Sequence, residues 1–270
     1  MTTRQEVVTV SWCESCKLKF EMKNVPGLRK EDVQHLEKSL ARLVRSKYSR
    51  TSLPFVTLKY AQTLDGKIAT KSGDSRWISG PSSLRLAHHL RSWHDAIMVG
   101  VDTILRDDPL LTVRLVKGKN PLKIVLDSQL RTPPTARIVK GRSARSTILA
   151  VTVGADTRRI ERLQSAGVQV WIIEEDSSGC VDLGRLLEKL GQAGIRSILV
   201  EGGSKVIASF LRNRLADHLL VAVAPRIMGT GLPGVNASVV SGVLKSSRLF
   251  SLKCFSADDD LIIRASFEAP

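Results

Sequence analysis

The second half of this chain alternates short apolar runs with amphipathic stretches of about ten residues, and no other feature limits the fold as strongly. Residues 123–126, 147–151, 168–172, 197–200 and 218–224 are rich in Val, Ile and Leu and read as strands. Residues 157–166, 183–190 and the stretch from Ser204 through Leu211 carry apolar residues at helical spacing. Strands that are apolar on both faces need cover on both faces, and a helix between successive strands supplies it, so the pattern calls for an α/β fold with a mainly parallel sheet. The first half fits the same scheme. Residues 55–61 read as a strand, Asp65-Gly66 as a turn, and 68–70 as more extended chain. A helix opens near Gly80-Pro81 with the stripe Leu84, Ala87, Leu90 and Trp93. Residues 96–99 form a buried strand ending at Gly100, and Asp102 or Thr103 opens a short helix. At the other end, residues 249–255 and 261–267 flank Ala257-Asp258-Asp259-Asp260 and read as an antiparallel hairpin.

Residues 1–52 differ in texture. A Pro26-Gly27 turn signal precedes Leu36, Leu40, Leu43 and Val44 at helical spacing with charges between them. The segment reads as a partly helical N-terminal extension ahead of a domain spanning 53–270.

With 270 residues, 43% hydrophobic and 25% charged, the chain has the material for a sizeable core. It contains no run long and apolar enough to suggest a membrane span. Glu6 and Glu14 interrupt the N-terminus and no long apolar run follows, so a secretory signal is not expected and a cytoplasmic location is. The net charge of +15 favours anionic partners. Basic residues are scattered, with local concentrations at Lys38, Arg42, Arg45, Lys47 and Arg50 and across 131–162. Aromatics make up only 4% and do not interleave with these charges, so a nucleic-acid platform is not expected. Cysteines stand at 13, 16, 180 and 254, too few for a disulfide scaffold. Cys13-x-x-Cys16 is half of a zinc site with no second half, and no metal is expected.

Several familiar ligand motifs fail. Gly229-x-Gly231-x-x-Gly234 matches a dinucleotide fingerprint in spacing but comes late, contains Pro233 and precedes no clear helix. No Walker lysine motif or Ser-His-Asp arrangement is evident. Glu201-Gly202-Gly203-Ser204 is better placed, between a buried strand and a helix. Its glycines admit a ligand close to the backbone, and amides at the helix start favour a phosphate; an ordinary tight turn accounts for the residues equally well. Asp107-Asp108-Pro109 marks a rigid polar turn, and Arg114 beyond it is suited to bidentate phosphate binding. Adjacent carboxylates rarely point together, which argues against a metal or glycosidase pair. Trp77 has the composition of a core residue or of a lid over a ring, with the core favoured, and His88 and His89 read as surface or cap residues.

Taken together, Phe55-Val-Thr-Leu-Lys-Tyr-Ala-Gln-Thr-Leu-Asp-Gly-Lys-Ile-Ala69, residues 75–80, Leu90-Arg91, residues 95–114 with Arg106-Asp107-Asp108-Pro109-Leu110-Leu111-Thr112-Val113-Arg114, residues 121–128 and residues 199–204 resemble the pyrimidine reductase family of riboflavin biosynthesis. The resemblance runs over about 53–268, in family order. It implies a dihydrofolate reductase-like three-layer α/β fold, with a mainly parallel central sheet and an antiparallel C-terminal hairpin. It also implies a homodimer and use of NADPH to reduce the ribosyl group of a pyrimidine ribosylamine 5′-phosphate to a ribityl group. Two substrates fit: 5-amino-6-(5-phosphoribosylamino)uracil and 2,5-diamino-6-(ribosylamino)-4(3H)-pyrimidinone 5′-phosphate. By the same resemblance Ala61, Trp77, Thr103, Asp107, Ser128, Gly203, Ser204, Lys205, Val206, Ile207, Ala208 and Ser209 are expected to contact NADPH. Ser75, Arg91, Leu111, Arg114 and Glu201 are expected to contact substrate, and Lys59, Asp107 and Glu201 are candidates for proton transfer. Common relatives carry a fused zinc deaminase with His-x-Glu followed by Pro-Cys-x-x-Cys. Here His35-Leu36-Glu37 comes after Cys13-x-x-Cys16, and Trp12 stands where the proline belongs, so deamination is not expected. The alternatives are a related NADPH reductase acting on another small substrate and a basic nucleic-acid-binding protein.

Overall fold

The apolar runs named above become strands of one main sheet, with 68–70 in a separate two-stranded sheet, in a computed structural model, which describes residues 27–75, 77–235 and 246–267. In chain order the elements are α1 (Lys30–Thr51), β1 (Phe55–Thr63), β2 (Lys67–Thr70), α2 (Pro81–Trp93), β3 (Ala96–Gly100), α3 (Val101–Asp107), β4 (Leu122–Leu126), β5 (Thr147–Val151), α4 (Thr157–Ser165), β6 (Gln169–Ile172), α5 (Leu183–Gln192), β7 (Ser197–Glu201), α6 (Ser204–Arg212), β8 (His218–Ala224), β9 (Gly231–Pro233), β10 (Phe250–Ala257) and β11 (Asp260–Ser266). Among the described residues the main sheet runs β10-β11-β8-β1-β7-β3-β4-β5-β6. From β8 to β6 neighbouring strands are parallel; β11 pairs antiparallel with β8, and β10 with β11. The mainly parallel sheet with an antiparallel C-terminal hairpin is therefore as expected.

Strand alternation divides the core between two faces. Val56, Leu58, Ala96, Met98, Ile198 and Val200 pack on one face against Leu186, Leu187 and Leu190 of α5 and Ile207 and Phe210 of α6. The intervening residues face the other way. There, Phe55, Leu199 and Leu220 meet Leu36, Leu40 and Val44 of α1 and Leu86 and Leu90 of α2. Further along the same face, Ile97, Val99, Val125 and Leu149 meet Ile104 of α3 and Leu163 of α4. Helices thus cover both faces, giving three layers.

α1 is the main departure from the sequence-based picture of an extension. Val33, Leu36, Leu40 and Val44 are buried in the same cluster as the sheet residues. Burying each such side chain contributes about 1.5–3 kcal/mol. The helix is also pinned at its far end: Lys47 Nζ lies 2.6 Å from Asp217 Oδ2, which also accepts the Val56 N–H at 2.7 Å. Its charges between the leucines hid this role, because an amphipathic helix that covers a sheet looks the same in sequence as one that hangs beside it.

Two smaller differences follow from local geometry. The middle of the late glycine triplet is β-structure: Gly231 opens β9, which pairs antiparallel with β2, and a side chain there would sit 2.5 Å from the Ala69 carbonyl oxygen. Within the second basic region, residues Arg137–Val139 and Gly141–Ser146 form 3-10 turns, which carry no apolar periodicity long enough to announce them. Among the described residues no helix is long and apolar enough to cross a membrane. Cys13 and Cys16 lie outside the described residues, as does Arg76.

Candidate functional site

Parallel α/β sheets bind ligands at the carboxyl ends of their strands, and the charged residues of this protein converge there. Lys59 of β1 and Glu201 at the end of β7 are direct neighbours in register. Since Val56, Leu58 and Val200 point to the α5–α6 face, Lys59 and Glu201 both point to the face covered by α2. Arg91, in the last turn of α2, spans the gap: its Nε donates to Glu201 Oε1 at 2.9 Å and its Nη2 to Oε2 at 2.6 Å. Both side chains are only about one-tenth exposed, at 12% and 11%. This is the fork-to-carboxylate geometry that fixes two groups at once.

The electrostatics follow from crowding. Burial alone would raise the Glu201 carboxyl, but Arg91 and then Lys59 outweigh it and hold the group below the ordinary carboxylate range. Lys59 is pulled the other way. Burial depresses its ammonium, Glu201 opposes the drop, and Arg91 adds to it. Glu201 therefore sits among Lys59, Arg91 and, a loop away, Arg114, with Asp260 acting on Lys59 as a second carboxylate, and positive charge is in excess there.

Arg114 reaches this place on a segment without regular structure between α3 and β4. That segment hangs on α2 by alternate residues. The Thr112 carbonyl accepts from Arg91 Nη1 at 3.2 Å, and the Arg114 backbone N–H donates to His88 Nδ1 at 2.9 Å. Val113 N–H donates to Asn120 Oδ1 at 2.8 Å, and Arg114 Nη1 to Thr112 Oγ1 at 3.0 Å. The guanidinium itself is exposed.

Beside this cluster lies the turn from β7 into α6. Gly202 and Gly203 have φ of 88° and 81°, which a side chain rarely tolerates. A Cβ at Gly202 would meet only Thr103 Oγ1, at 3.9 Å; at Gly203 it would also touch Val206 at 3.4 Å. The space in front of α6 is thus open, lined by backbone and by the Thr103 hydroxyl. Further out, Lys205 and Arg131 flank Asp102 at 3.5 and 2.7 Å.

The expected residues divide into three groups. Lys59, Arg91, Arg114 and Glu201 come together as one cluster, and Thr103, Gly203 and Ser204 as an adjoining cradle. Lys205 is exposed at its rim, with Val206 and Ser209 partly buried along α6 and Ala61 partly buried in β1. Other residues are turned elsewhere. Ile207 and Ala208 are fully buried, Leu111 is buried in the core at φ 52° behind α3, and the Ser128 hydroxyl accepts the Val181 N–H at 3.0 Å. Asp107 is exposed at the end of α3, and its neighbour Asp108 accepts from the Arg137 N–H at 2.8 Å, so the two carboxylates do not act as a pair. Ser75 is exposed on the β2–α2 connection.

Two expectations are overturned. Trp77 is not a core residue: it is 78% exposed, at φ 61°, between surface cavities of about 410 and 330 Å³ that neither Lys59, Arg91 nor Glu201 lines. His88 and His89 are not surface residues. They are 1% and 4% exposed, His89 against Glu37 of α1 and His88 beneath Arg114. Sequence held one signal for His88, its position three residues before Arg91, which places both on one face of α2.

Comparison with known proteins bears on this arrangement. A family model described as the RibD C-terminal domain matches residues 54–256. The chain is 40% identical over 205 residues to the riboflavin biosynthesis protein RibD of Actinobacillus pleuropneumoniae, covering 76% of this chain and 53% of that protein. It is 38% identical over 215 residues to the 2,5-diamino-6-ribosylamino-4(3H)-pyrimidinone 5′-phosphate reductase of Methanothermobacter thermautotrophicus, covering 78% of this chain and 96% of that protein. Among solved structures, RibD of Acinetobacter baumannii superposes with a TM-score of 0.70 at 28% identity, covering 82% of this chain and 59% of that one. The chain spans about half the length of the RibD proteins it matches.

Proposed function

This chain belongs to the RibD C-terminal domain family, and from that membership we propose that it is an NADPH-dependent reductase of riboflavin biosynthesis, converting the ribosyl group of a pyrimidine ribosylamine 5′-phosphate to a ribityl group. The observation that carries the reading is the cluster at the strand ends. Arg91 forks onto the Glu201 carboxylate, Lys59 is its in-register neighbour, and Arg114 is suspended beside them. Surplus positive charge there suits a phosphate ester, and Glu201 keeps the arginine fork oriented while leaving Arg114 free to turn toward an anion.

The open cradle of Gly202, Gly203 and Ser204, with Thr103 opposite, fits the diphosphate of a dinucleotide, since a ligand there meets backbone rather than side chains. The chemistry such a cofactor supplies when bound is hydride delivery to the sugar C1′. The protein's own share is placement and proton supply. With Arg91 and Glu201 satisfying each other, the Lys59 ammonium, depressed by burial, holds the site's most labile proton. Lys59 gives that proton to the nitrogen or ring oxygen that the reduction leaves basic, and Glu201 restrains it in register. The same reading takes the protein as a homodimer, which sedimentation of the purified chain measures.

The test is NADPH oxidation with the diamino pyrimidinone and the amino uracil phosphates side by side. Turnover of one well above the other assigns the substrate; turnover of neither, with NADPH still bound, removes the pyrimidine reading in favour of another small substrate. Arg114→Ala is expected to raise KM for the phosphorylated substrate by about 10- to 100-fold, the worth of a charge-assisted bond, while the NADPH KM moves little. Equal loss for both ligands would take the phosphate role away from Arg114.

A further inference from the structure

We propose that His88 is a positioning residue for the substrate's phosphate: as a neutral ring acceptor it fixes the backbone of Arg114 and so aims that guanidinium. The inference rests on reading the crevice as a phosphate-ester site, and it concerns a histidine that the residues of the resemblance do not include.

Three observations carry it. First, the Arg114 segment has no ladder of its own, so its backbone N–H groups depend on side chains. Val113 uses Asn120, and Arg114 uses His88 Nδ1 at 2.9 Å. Second, His88 is almost completely buried, so water does not readily replace the ring as an acceptor. Third, His88 and Arg91 lie three apart on α2 and hold the segment at alternate residues, His88 at Arg114 and Arg91 at the Thr112 carbonyl. One helix face therefore sets both arginines: Arg91 by its fork to Glu201, Arg114 by the bond to His88.

Because Nδ1 accepts an N–H, the ring must carry its hydrogen on Nε2 and stay neutral. The surroundings enforce this. Burial is the largest cause, and Arg91, Arg114 and Lys59 all disfavour a fourth positive charge against the single opposing Glu201, so the ring's pKa falls to about 4. A charged ring would lose the acceptor and repel the guanidinium it serves.

The experiment measures binding of ribose 5-phosphate and, separately, of NADPH by titration calorimetry to the full chain and to His88→Asn, His88→Gln and His88→Leu. The Asn carboxamide oxygen reaches the place of Nδ1, whereas Gln extends toward Nε2 and Leu offers no acceptor. Expected is an affinity for ribose 5-phosphate about tenfold weaker in His88→Leu and His88→Gln, with His88→Asn close to wild type and NADPH affinity unchanged in all three. Wild-type affinity in His88→Leu overturns the proposal, and so does equal weakening in His88→Asn, which would make the ring a packing element only. Failure of the wild-type chain to bind ribose 5-phosphate at all overturns the phosphate reading itself, and the inference with it.

Discussion

Replacing Glu201 by Gln and replacing Arg91 by Met remove opposite ends of one buried bond pair, yet the structure predicts unequal losses. The pair shares two bonds, at 2.9 and 2.6 Å, between side chains about one-tenth exposed. Breaking such a pair from one side costs about 3–5 kcal/mol, most of it the penalty of the charge left behind. What is left behind differs. Without Arg91, Glu201 keeps Lys59 as its in-register neighbour on β1. The Lys59 attraction opposes the penalty of the carboxylate left behind. Without the Glu201 charge, Lys59 and Arg91 face each other as like charges. Glu201→Gln is therefore expected at the upper end, about 4–5 kcal/mol, and Arg91→Met at about 2–3 kcal/mol. The assay is urea unfolding at pH 7.5 followed by circular dichroism, with the slope checked for constancy so that the midpoint reports stability. In Glu201→Gln the deficit should shrink as pH rises. Lys59 is depressed in the folded state, so once the folded form has lost this proton the unfolded chain binds more protons, and stability climbs with pH until the unfolded lysine also titrates, near about 10.4. A loss for Arg91→Met equal to or larger than that for Glu201→Gln would refute the account, because Lys59 would then not be holding the carboxylate.

Three other outcomes are expected. His88 and His94 are held near a pKa of about 4, and His218 near about 3, all chiefly by burial. The unfolded chain protonates its histidines first, so stability should be lost as pH falls from about 6.5 toward 4, by up to about 4 kcal/mol per pH unit if all three contribute; a urea midpoint constant from pH 7 to 5 would contradict this. Leu40→Ala, at a residue 1% exposed in the α1–sheet cluster, should cost about 2–5 kcal/mol, whereas a change below 0.5 kcal/mol, typical of a surface site, would return α1 to the status of an appendage. Gly191→Ala should destabilise by about 1–3 kcal/mol despite alanine's better helix propensity, since its Cβ would stand 2.3 Å from the Ser52 carbonyl oxygen; an unchanged or higher melting temperature would show that the α1–β1 connection yields.

The sequence by itself determined the layer plan. Runs apolar on both faces cannot be stable unless covered twice, and ten-residue helices between them leave little choice but parallel crossovers. It also named Lys59, Arg91, Arg114 and Glu201, because their motifs recur together in a recognisable order. What it could not contain is which of these share a space. Lys59 and Glu201 are 142 positions apart by their numbering and become neighbours only through the β1–β7 register. Amphipathicity marks the buried face of α1 but not what buries it, so the helix looked detachable until the sheet was in place. Burial likewise decided the histidines and Trp77: identity alone favoured an exposed His88 and a buried Trp77, and tertiary packing reversed both. Side-chain chemistry is written in the chain, whereas the dielectric, the neighbours and the hydrogen-bond partner that tune it come from contacts between distant segments, and those only the folded structure supplies.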